Sequence, residues 1–395
     1  MIGLARSLPV SHYRTVFLSF PERGLAEPFL AKARESGFEA IALKRNFPNL
    51  RQSVQEVAAH LRRVNASVLI CHLYKPNLVG WLAARRAGIP FVCVSRGWTW
   101  ATLRVRLYEI MDRAILRAAD RVVCVSEAQA VKVHWARVQP ERISVIHNSV
   151  SPDRFTVREE SARAAIESLF RKKKQFIVGA AGRLSPEKGF ADLIDAATEV
   201  IRQKPDAGFV IFGDGPLRQP LQDRIHRAKL DDSFVLVPFR NDLDHLMPAL
   251  DALALSSLTE GLPNVVLEAS AAGVPTVGTA VGGTGEIIKD GVTGYLVPPS
   301  QSLTMAERLL RLATDANARS RMGEAARERV RRKFSFESQS QSYQRLIDEL
   351  LAEHARSPLA PVTSAVRVLP EMLRSAVTEI QALALSPSQA IAGMQ

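Results

Sequence analysis

The sequence predicts an α/β protein of two doubly wound, parallel-sheet domains of Rossmann-like type that face a cleft. Three observations carry this. Short β-branched runs alternate with helix-like segments along most of the chain. The alternation comes as two series, separated by a polar connector over 148–155. Glycine turns and charged side chains collect where strands of the second series end, the edge at which open α/β sheets bind ligands. The 395 residues suffice for two domains with full cores.

In the first series, strands are expected at 16–18, 40–43, 68–71, 91–94, 121–125 and 143–146. Helix-like segments lie between them at 26–36, 52–64, 77–87 and 104–119, and another follows over 159–170. The second series has strands at 176–181, 208–212, 234–236, 252–255, 275–277 and 294–297, and helices over 304–355 end it. The expected domains are therefore 1–170 and 171–340. A C-terminal helix over 341–356 is able to cross back to the first domain. The Pro-punctuated stretch 357–395 reads as a marginal helix or disorder, with a membrane-surface role as the less favoured reading.

Composition narrows the function classes. No apolar run approaches the length of a membrane span, and the first residues lack the pattern of a signal peptide, so a cytoplasmic protein is expected. Cys71, Cys93 and Cys124 fall in strand-like runs without metal spacing and read as reduced core thiols. The net charge of +12 is unevenly spread: residues 1–175 hold 29 Lys and Arg against 14 Asp and Glu, leaving 23 against 26 for the rest. No zinc, helix-turn-helix or aromatic-interleaved basic motif accompanies that charge, which argues against nucleic acid. An anionic membrane surface, reached peripherally, or a phosphate-bearing lipid acceptor fits better; solubility alone is the competing reading.

The second series carries the chemistry. Gly182-Arg183-Leu184 and Lys188-Gly189 follow its first strand, so a glycine turn brings two cations to a helix start, a phosphate site. Gly213-Asp214-Gly215-Pro216 is a second glycine turn at the next strand end. After the fourth strand comes Glu260-Gly261-Leu262-Pro263-Asn264, then Glu268 about one turn into a helix over 264–272. Gly261 lets the backbone approach a ligand, and Pro263 suits the first turn of a helix whose free N–H groups face it. Two carboxylates, one on a loop and one on a helix, suit sugar hydroxyls. Asp242-Leu243-Asp244 has the spacing of a metal-binding motif, but at a helix start N-capping is the expected role.

These motifs, followed by Gly282-Gly283, Glu286-Ile287-Ile288, Asp290-Gly291 and Gly294, resemble those of the retaining glycosyltransferases of family four, of GT-B architecture. The resemblance is strong over about 120–350 and looser before. Ser126-Glu127 and the run from Val145 to Val150 also look like that family, whose usual Asn-Gly is here Asn148-Ser149. It implies a UDP-, GDP- or ADP-linked sugar donor held by the second domain and a glycan or lipid-linked acceptor of cell-envelope polysaccharide or lipopolysaccharide. It further implies that Arg183 and Lys188 hold the distal phosphate with Gly182 and Gly213 beside it. Glu268 would hold the ribose. Glu260, with Gly261, Leu262, Pro263 and Asn264, would hold the transferred sugar. Phe239 and Arg240 would lie near the base. The chemistry agrees without the resemblance: the transfer builds negative charge on the leaving diphosphate, which Arg183, Lys188 and helix N-termini stabilise, so no cofactor and no metal is expected.

The chain departs from the family in its first domain. The opening strand and glycine-rich loop are missing, and Gly37 and Gly97 do not replace them. Arg96 stands where the family commonly has a histidine facing the donor sugar; it binds a phosphate or an acceptor carboxylate, or is a surface residue. His72, at another strand end, lines the cleft or is simply a satisfied or exposed histidine. Trp98 and Trp100 are candidates to pack against sugar, with a core or lid role as the alternative. The main competing function is a non-catalytic sugar-nucleotide-binding or scaffold subunit of the same fold. A nucleotide-sugar epimerase is the second.

Overall fold

The computed structural model describes residues 1–21, 24, 26–46, 49–98, 103–155 and 159–356. Trp100 and the stretch 357–395 lie outside the described residues. The described residues divide into two units: those within 1–125, 129–146 and 340–356 form the first, and those within 126–128 and 147–339 form the second.

The first unit runs α1 (Ile2–Ser7), β1 (Val16–Ser19), α2 (Glu27–Glu35), β2 (Glu39–Ala42), α3 (Leu50–Arg63), β3 (Leu69–His72), α4 (Tyr74–Ala87), β4 (Phe91–Ser95), α5 (Leu103–Ala118), β5 (Arg121–Cys124), α6 (Glu127–Trp135) and β6 (Ile143–Val145). The first two residues of α6 group with the second unit. All strand pairs are parallel, as the β-helix-β alternation requires. β4 is apolar from Phe91 to Val94 and buried along its whole length, which is how a strand covered on both faces reads. The three cysteines are free and buried, and burial pushes the Cys71 thiol up to about 12, which keeps it protonated and inert.

The strands of this unit do not form one sheet. Among the described residues β1 pairs only with β2, and β3 to β6 form a separate sheet in sequence order. Leu43 N–H donates to Ser19 O, and Leu69 N–H donates to Pro90 O, on the β4 side. By the alternation of a strand, the N–H and C=O of Leu18 and Ile70 therefore face away from these partners, toward unpaired edges. All four β1 residues are only half-buried, in contrast to β4. Yet β1 and β3 share a core, in which Leu18 and Leu69 pack on Val54, Val57, Leu61 and Val79 of α3 and α4.

The second unit runs α7 (Glu160–Glu167), β7 (Phe176–Ala181), α8 (Phe190–Gln203), β8 (Ala207–Phe212), α9 (Arg218–Arg227), β9 (Phe234–Val237), α10 (Leu243–Leu246), β10 (Ala252–Leu255), α11 (Asn264–Ala271), β11 (Thr276–Thr279), α12 (Thr284–Ile287), β12 (Gly294–Val297), α13 (Ser302–Thr314) and α14 (Ala316–Lys333). Its six strands are parallel in the order β12-β11-β10-β7-β8-β9. The order reverses between β7 and β10, so the crevice outside the carboxyl ends of those two strands is the topological switch point. The helices cover the faces for a reason legible in their spacing. Leu193, Ile194, Ala197 and Val200 make one stripe of α8, and Met305, Leu309 and Leu312 one stripe of α13, all buried in one core. Phe209 and Phe234 stack within that core with centroids 5.6 Å apart. Truncating either to alanine is expected to cost about 3–5 kcal/mol.

The last helix, α15 (Phe336–Arg356), belongs to the first unit from Ser340 on. There Ser340 Oγ donates to Ser7 O at 2.8 Å, Tyr13 Oη donates to Asp348 at 2.9 Å, and Arg121 pairs with Glu353.

Candidate functional site

The loops after β7 and β10, which carry Arg183, Lys188 and Glu260, meet at the switch point. After β7, Gly182 to Leu184 turn outward, a 3-10 turn spans Pro186–Lys188, and α8 begins only at Phe190. Lys188 thus sits just ahead of the helix rather than in its first turn. Gly213, after β8, lets the two loops touch: a Cβ there would stand 2.0 Å from Gly182 O. Leu184 N–H donates to Asp214 O at 2.9 Å across the same contact. The Lys188 stem lies against Gly182, where a Cβ would meet its Cε at 3.6 Å.

The loop after β10 faces this one. Lys188 Nζ donates to Glu260 Oε1 at 2.6 Å, and Ser257 Oγ donates to the same oxygen at 2.7 Å. Ser256 Oγ donates to Lys188 O at 2.9 Å, and Leu258 N–H donates to Glu187 O at 2.8 Å, which ties the two loops together. Gly282, at φ +53, closes over the Glu260 peptide; a Cβ would stand 2.0 Å from Glu260 O. Gly283 N–H donates to Gly261 O at 2.8 Å. The glycine pair is therefore a packing requirement of the Glu260 loop.

The Arg183 carbonyl accepts from Ser185, while its exposed side chain has no hydrogen-bond or ion-pair partner among the described residues, so the guanidinium is free for an anion. Leu262 and Pro263 are buried, and Pro263 is the N-cap of α11 rather than a residue of its first turn. Asn264 opens the helix, and its Oδ1 accepts from Asn148 Nδ2 at 2.9 Å, while the same Nδ2 donates to Leu262 O at 3.3 Å. The N–H groups of Asn264 and Val265 are the orphan donors of a helix start. Glu268 is half-buried on α11. Burial pushes its carboxyl up to about 7, against the opposing charge of nearby Arg154 and with some help from Asp244. Arg154 itself pairs with Asp244 at 2.6 Å.

The capping expected of Asp242-Leu243-Asp244 is corrected here. Asp242 occupies the N-cap position of α10 but makes no side-chain cap; it pairs instead with Arg240, at 2.8 Å from Nε. Asp244 goes to Arg154. Ion pairing with nearby arginines has won over capping of a one-turn helix. Arg240 is consequently folded onto its own loop, whereas Phe239 beside it is 70% exposed. Among the described residues no group of three or more His, Cys, Asp or Glu could hold a metal.

Several residues of the site carried no role in the sequence. Ser256 and Ser257 looked like a strand end only. Glu286 accepts from the backbone N–H of Glu127 at 3.0 Å and of Ala128 at 3.2 Å, and bonds His147 Nε2 at 2.7 Å. These three bonds hold the Glu286 carboxyl below the usual range despite partial burial. The Gly-Gly and Asn148 motifs flagged the neighbourhood but not these partners.

In the first unit, the structure brings His72 and Arg96 together. His72 is the last residue of β3 and Arg96 follows β4, and Arg96 Nη2 lies 3.5 Å from His72 Nδ1. Burial, and then the Arg96 charge, push the imidazole down to about 3, so His72 is neutral and its Nδ1 accepts. Trp98 is buried, with Nε1 donating to Asp112 at 3.2 Å and Arg113 over its ring, so it is a core residue and not a sugar platform. Asp112, also bonded by Asn77 at 2.7 Å, is pushed up to about 6 by burial. A separate open groove of about 570 Å³ on this unit is lined by Lys44, Arg45, Gln52, Gln55, Glu56 and His60. No described helix is long and apolar enough to cross a membrane.

Comparison with known proteins places the chain by sequence and by fold. Residues 161–329 match the profile of glycosyl transferases group 1, and residues 1–154 match that of glycosyltransferase family 4. An Escherichia coli protein named UDP-Gal:alpha-D-GlcNAc-diphosphoundecaprenol alpha-1,3-galactosyltransferase is 27% identical over 264 residues, covering 65% of this chain and 68% of its own length. A 2-deoxystreptamine glucosyltransferase of Streptomyces kanamyceticus is 30% identical over 258 residues, 60% of this chain and 65% of its own. Across these and two similar relatives the chain spans between 48% and 68% of their length. A crystal structure of Anabaena HepE in complex with UDP has a TM-score of 0.72 at 21% identity, over 85% of this chain and 100% of that one, a likeness of fold. With the two profiles taking in most of residues 1–329, and two Rossmann-like units as in the GT-B enzymes, the chain belongs to the group 1, family 4 glycosyltransferases.

Proposed function

We propose that the protein is a retaining glycosyltransferase that moves a sugar from a nucleotide diphosphate to a glycan or lipid-linked acceptor of cell-envelope polysaccharide. The observation that supports this is the Lys188–Glu260 pair, which joins the loops after β7 and β10 at the switch point, with the exposed Arg183 side chain on the first of these loops and a Glu260 Oε2 that has no partner among the described residues. Arg183 and Lys188 take the distal phosphate, the former as a bidentate fork and the latter as a point charge. They stabilise the charge that grows there as the bond from the sugar carbon to the phosphate oxygen breaks. Glu260 Oε2 accepts from sugar hydroxyls, and the N–H groups at the start of α11 face the same ligand. Glu268 accepts from the ribose hydroxyls, and exposed Phe239 offers a face for the base.

Retention requires the acceptor hydroxyl to attack from the face the diphosphate leaves. Its proton then has a departing phosphate oxygen as the nearest base, and no protein base is assigned. The reaction as proposed uses no metal, which addition of a chelator to the assay tests directly. UDP is the first donor base to try, because relatives of this chain are named for UDP-galactose and crystallised with UDP. A diphosphate lipid acceptor, of the kind in the Escherichia coli relative's name, suits the basic first half of the chain and an anionic membrane surface. His72 and Arg96 are the proposed acceptor-side pair, Arg96 supplying the charge and His72 a neutral acceptor. Purified protein supplied with UDP-, GDP- and ADP-sugars should release nucleotide diphosphate. Binding without any turnover would leave a sugar-nucleotide-binding subunit.

A further inference from the structure

We propose that Ser257 is a positioning residue that keeps Glu260 aimed at the donor sugar once Lys188 has turned to the phosphate. The inference rests on the reading of Glu260 as the sugar-facing carboxylate. One oxygen, Glu260 Oε1, accepts from two donors, Lys188 Nζ at 2.6 Å and Ser257 Oγ at 2.7 Å. Oε2 has no partner among the described residues. The two donors differ in kind. Lys188 is a flexible cation, and a diphosphate arriving beside Arg183 offers it more negative charge than one carboxylate does. Ser257 is 1% exposed, its carbonyl held by Thr279 Oγ1 at 2.6 Å, and its hydroxyl has nowhere to go.

Donor binding therefore exchanges one of the two bonds and leaves the other. Before the donor arrives, the Lys188–Glu260 pair keeps two partly buried charges satisfied, with side chains 24% and 11% exposed. Afterwards Lys188 Nζ sits on the phosphate, and Ser257 alone fixes the carboxylate plane so that Oε2 stays toward the sugar hydroxyls. Without Ser257, Glu260 would follow Lys188 or rotate to solvent. Ser256 complements it. The Ser256 Oγ, bonded to Lys188 O at 2.9 Å, holds the lysine backbone still while the side chain changes partner. Two adjacent serines at the end of β10 thus serve the two halves of the exchange.

The test compares wild type, Ser257→Ala, Ser257→Thr and Glu260→Gln. UDP binding is measured by calorimetry, thermal unfolding gives the fold control, and kcat and KM are measured with whichever of a UDP-, GDP- and ADP-sugar panel the wild type turns over. UDP carries no sugar, so Ser257→Ala should bind it within about twofold and unfold normally. Its kcat should fall about tenfold or more, the loss of one charge-assisted hydrogen bond. Ser257→Thr, which keeps the hydroxyl, should recover much of that loss. The proposal is overturned if Ser257→Ala turns over like wild type, or if turnover, UDP affinity and stability all fall together, the pattern of a merely structural residue. Glu260→Gln separates the two levels. If it is as active as wild type, the reading of Glu260 fails and the proposal with it. If it is inactive while Ser257→Ala is active, only the role of Ser257 fails.

Discussion

Replacing Glu268 by glutamine should make the second unit more stable and worse at binding nucleoside, and both effects should depend on pH. Burial raises the Glu268 carboxyl from its ordinary 4.5 to about 7. A group raised in this way destabilises the fold at high pH: the penalty is absent below about 4.5, grows as the unfolded chain ionises first, and levels off above about 7. The full shift corresponds to about 3 kcal/mol. Between pH 5.5 and 8 the advantage of Glu268→Gln over wild type should grow by about 2 kcal/mol, whatever the neutral amide itself costs. Urea unfolding of both proteins at the two pH values measures it, followed by a probe of the second unit because a two-unit chain need not unfold in one step. The same ionisation controls ribose binding. If only the carboxylate binds, nucleoside affinity of the wild type should rise roughly thirtyfold from pH 5.5 to 8 and that of Glu268→Gln should stay flat and weak. A nucleoside is the right ligand, since a phosphate titrates in the same range. A stability advantage that does not change with pH, or a wild-type affinity that ignores it, would refute the reasoning.

Other consequences are as direct. Arg183→Ala should weaken nucleotide diphosphate binding at least about tenfold, with nucleoside binding unchanged, as calorimetry with the two ligands would register. Gly282→Ala places a Cβ 2.0 Å from Glu260 O at φ +53, so a loss of about 2 kcal/mol or more in stability and near-total loss of turnover are expected by thermal unfolding and product assay. Association with vesicles of anionic lipid should weaken between 50 mM and 500 mM salt in a sedimentation assay, and salt-independent binding or none would rule out charge as the cause of membrane association.

Much of the fold is legible in the sequence because parallel strands are written as apolar runs. All twelve strands of the described residues fall on runs expected to be strands, and α8 and α13 on stripes of period near 3.6. Their lateral order is not legible, since β7 and β10 are neighbours across more than seventy residues and no local pattern records it. That order creates the switch point, so the motifs pointed to strand ends before anything showed which ends meet. The same limit applies to the site. Glu260 and Lys188 stand out by residue type and glycine context, whereas Ser257 matters only through a hydroxyl aimed at one oxygen. The capping expected of Asp242 failed for a related reason: Arg240 and Arg154 are within reach only in the folded loop, and a charged partner outcompetes a backbone N–H. Trp98 reads equally well as a surface or a core residue until α5 brings Asp112 to its indole N–H.

The most direct test of the whole is a turnover assay of purified wild type and Glu260→Ala with a UDP-, GDP- and ADP-sugar panel, following nucleotide diphosphate release. Wild type should turn over one donor class, and Glu260→Ala should lose at least about a hundredfold in kcat while still binding the nucleotide diphosphate. Undiminished turnover by Glu260→Ala would contradict the assignment of the site.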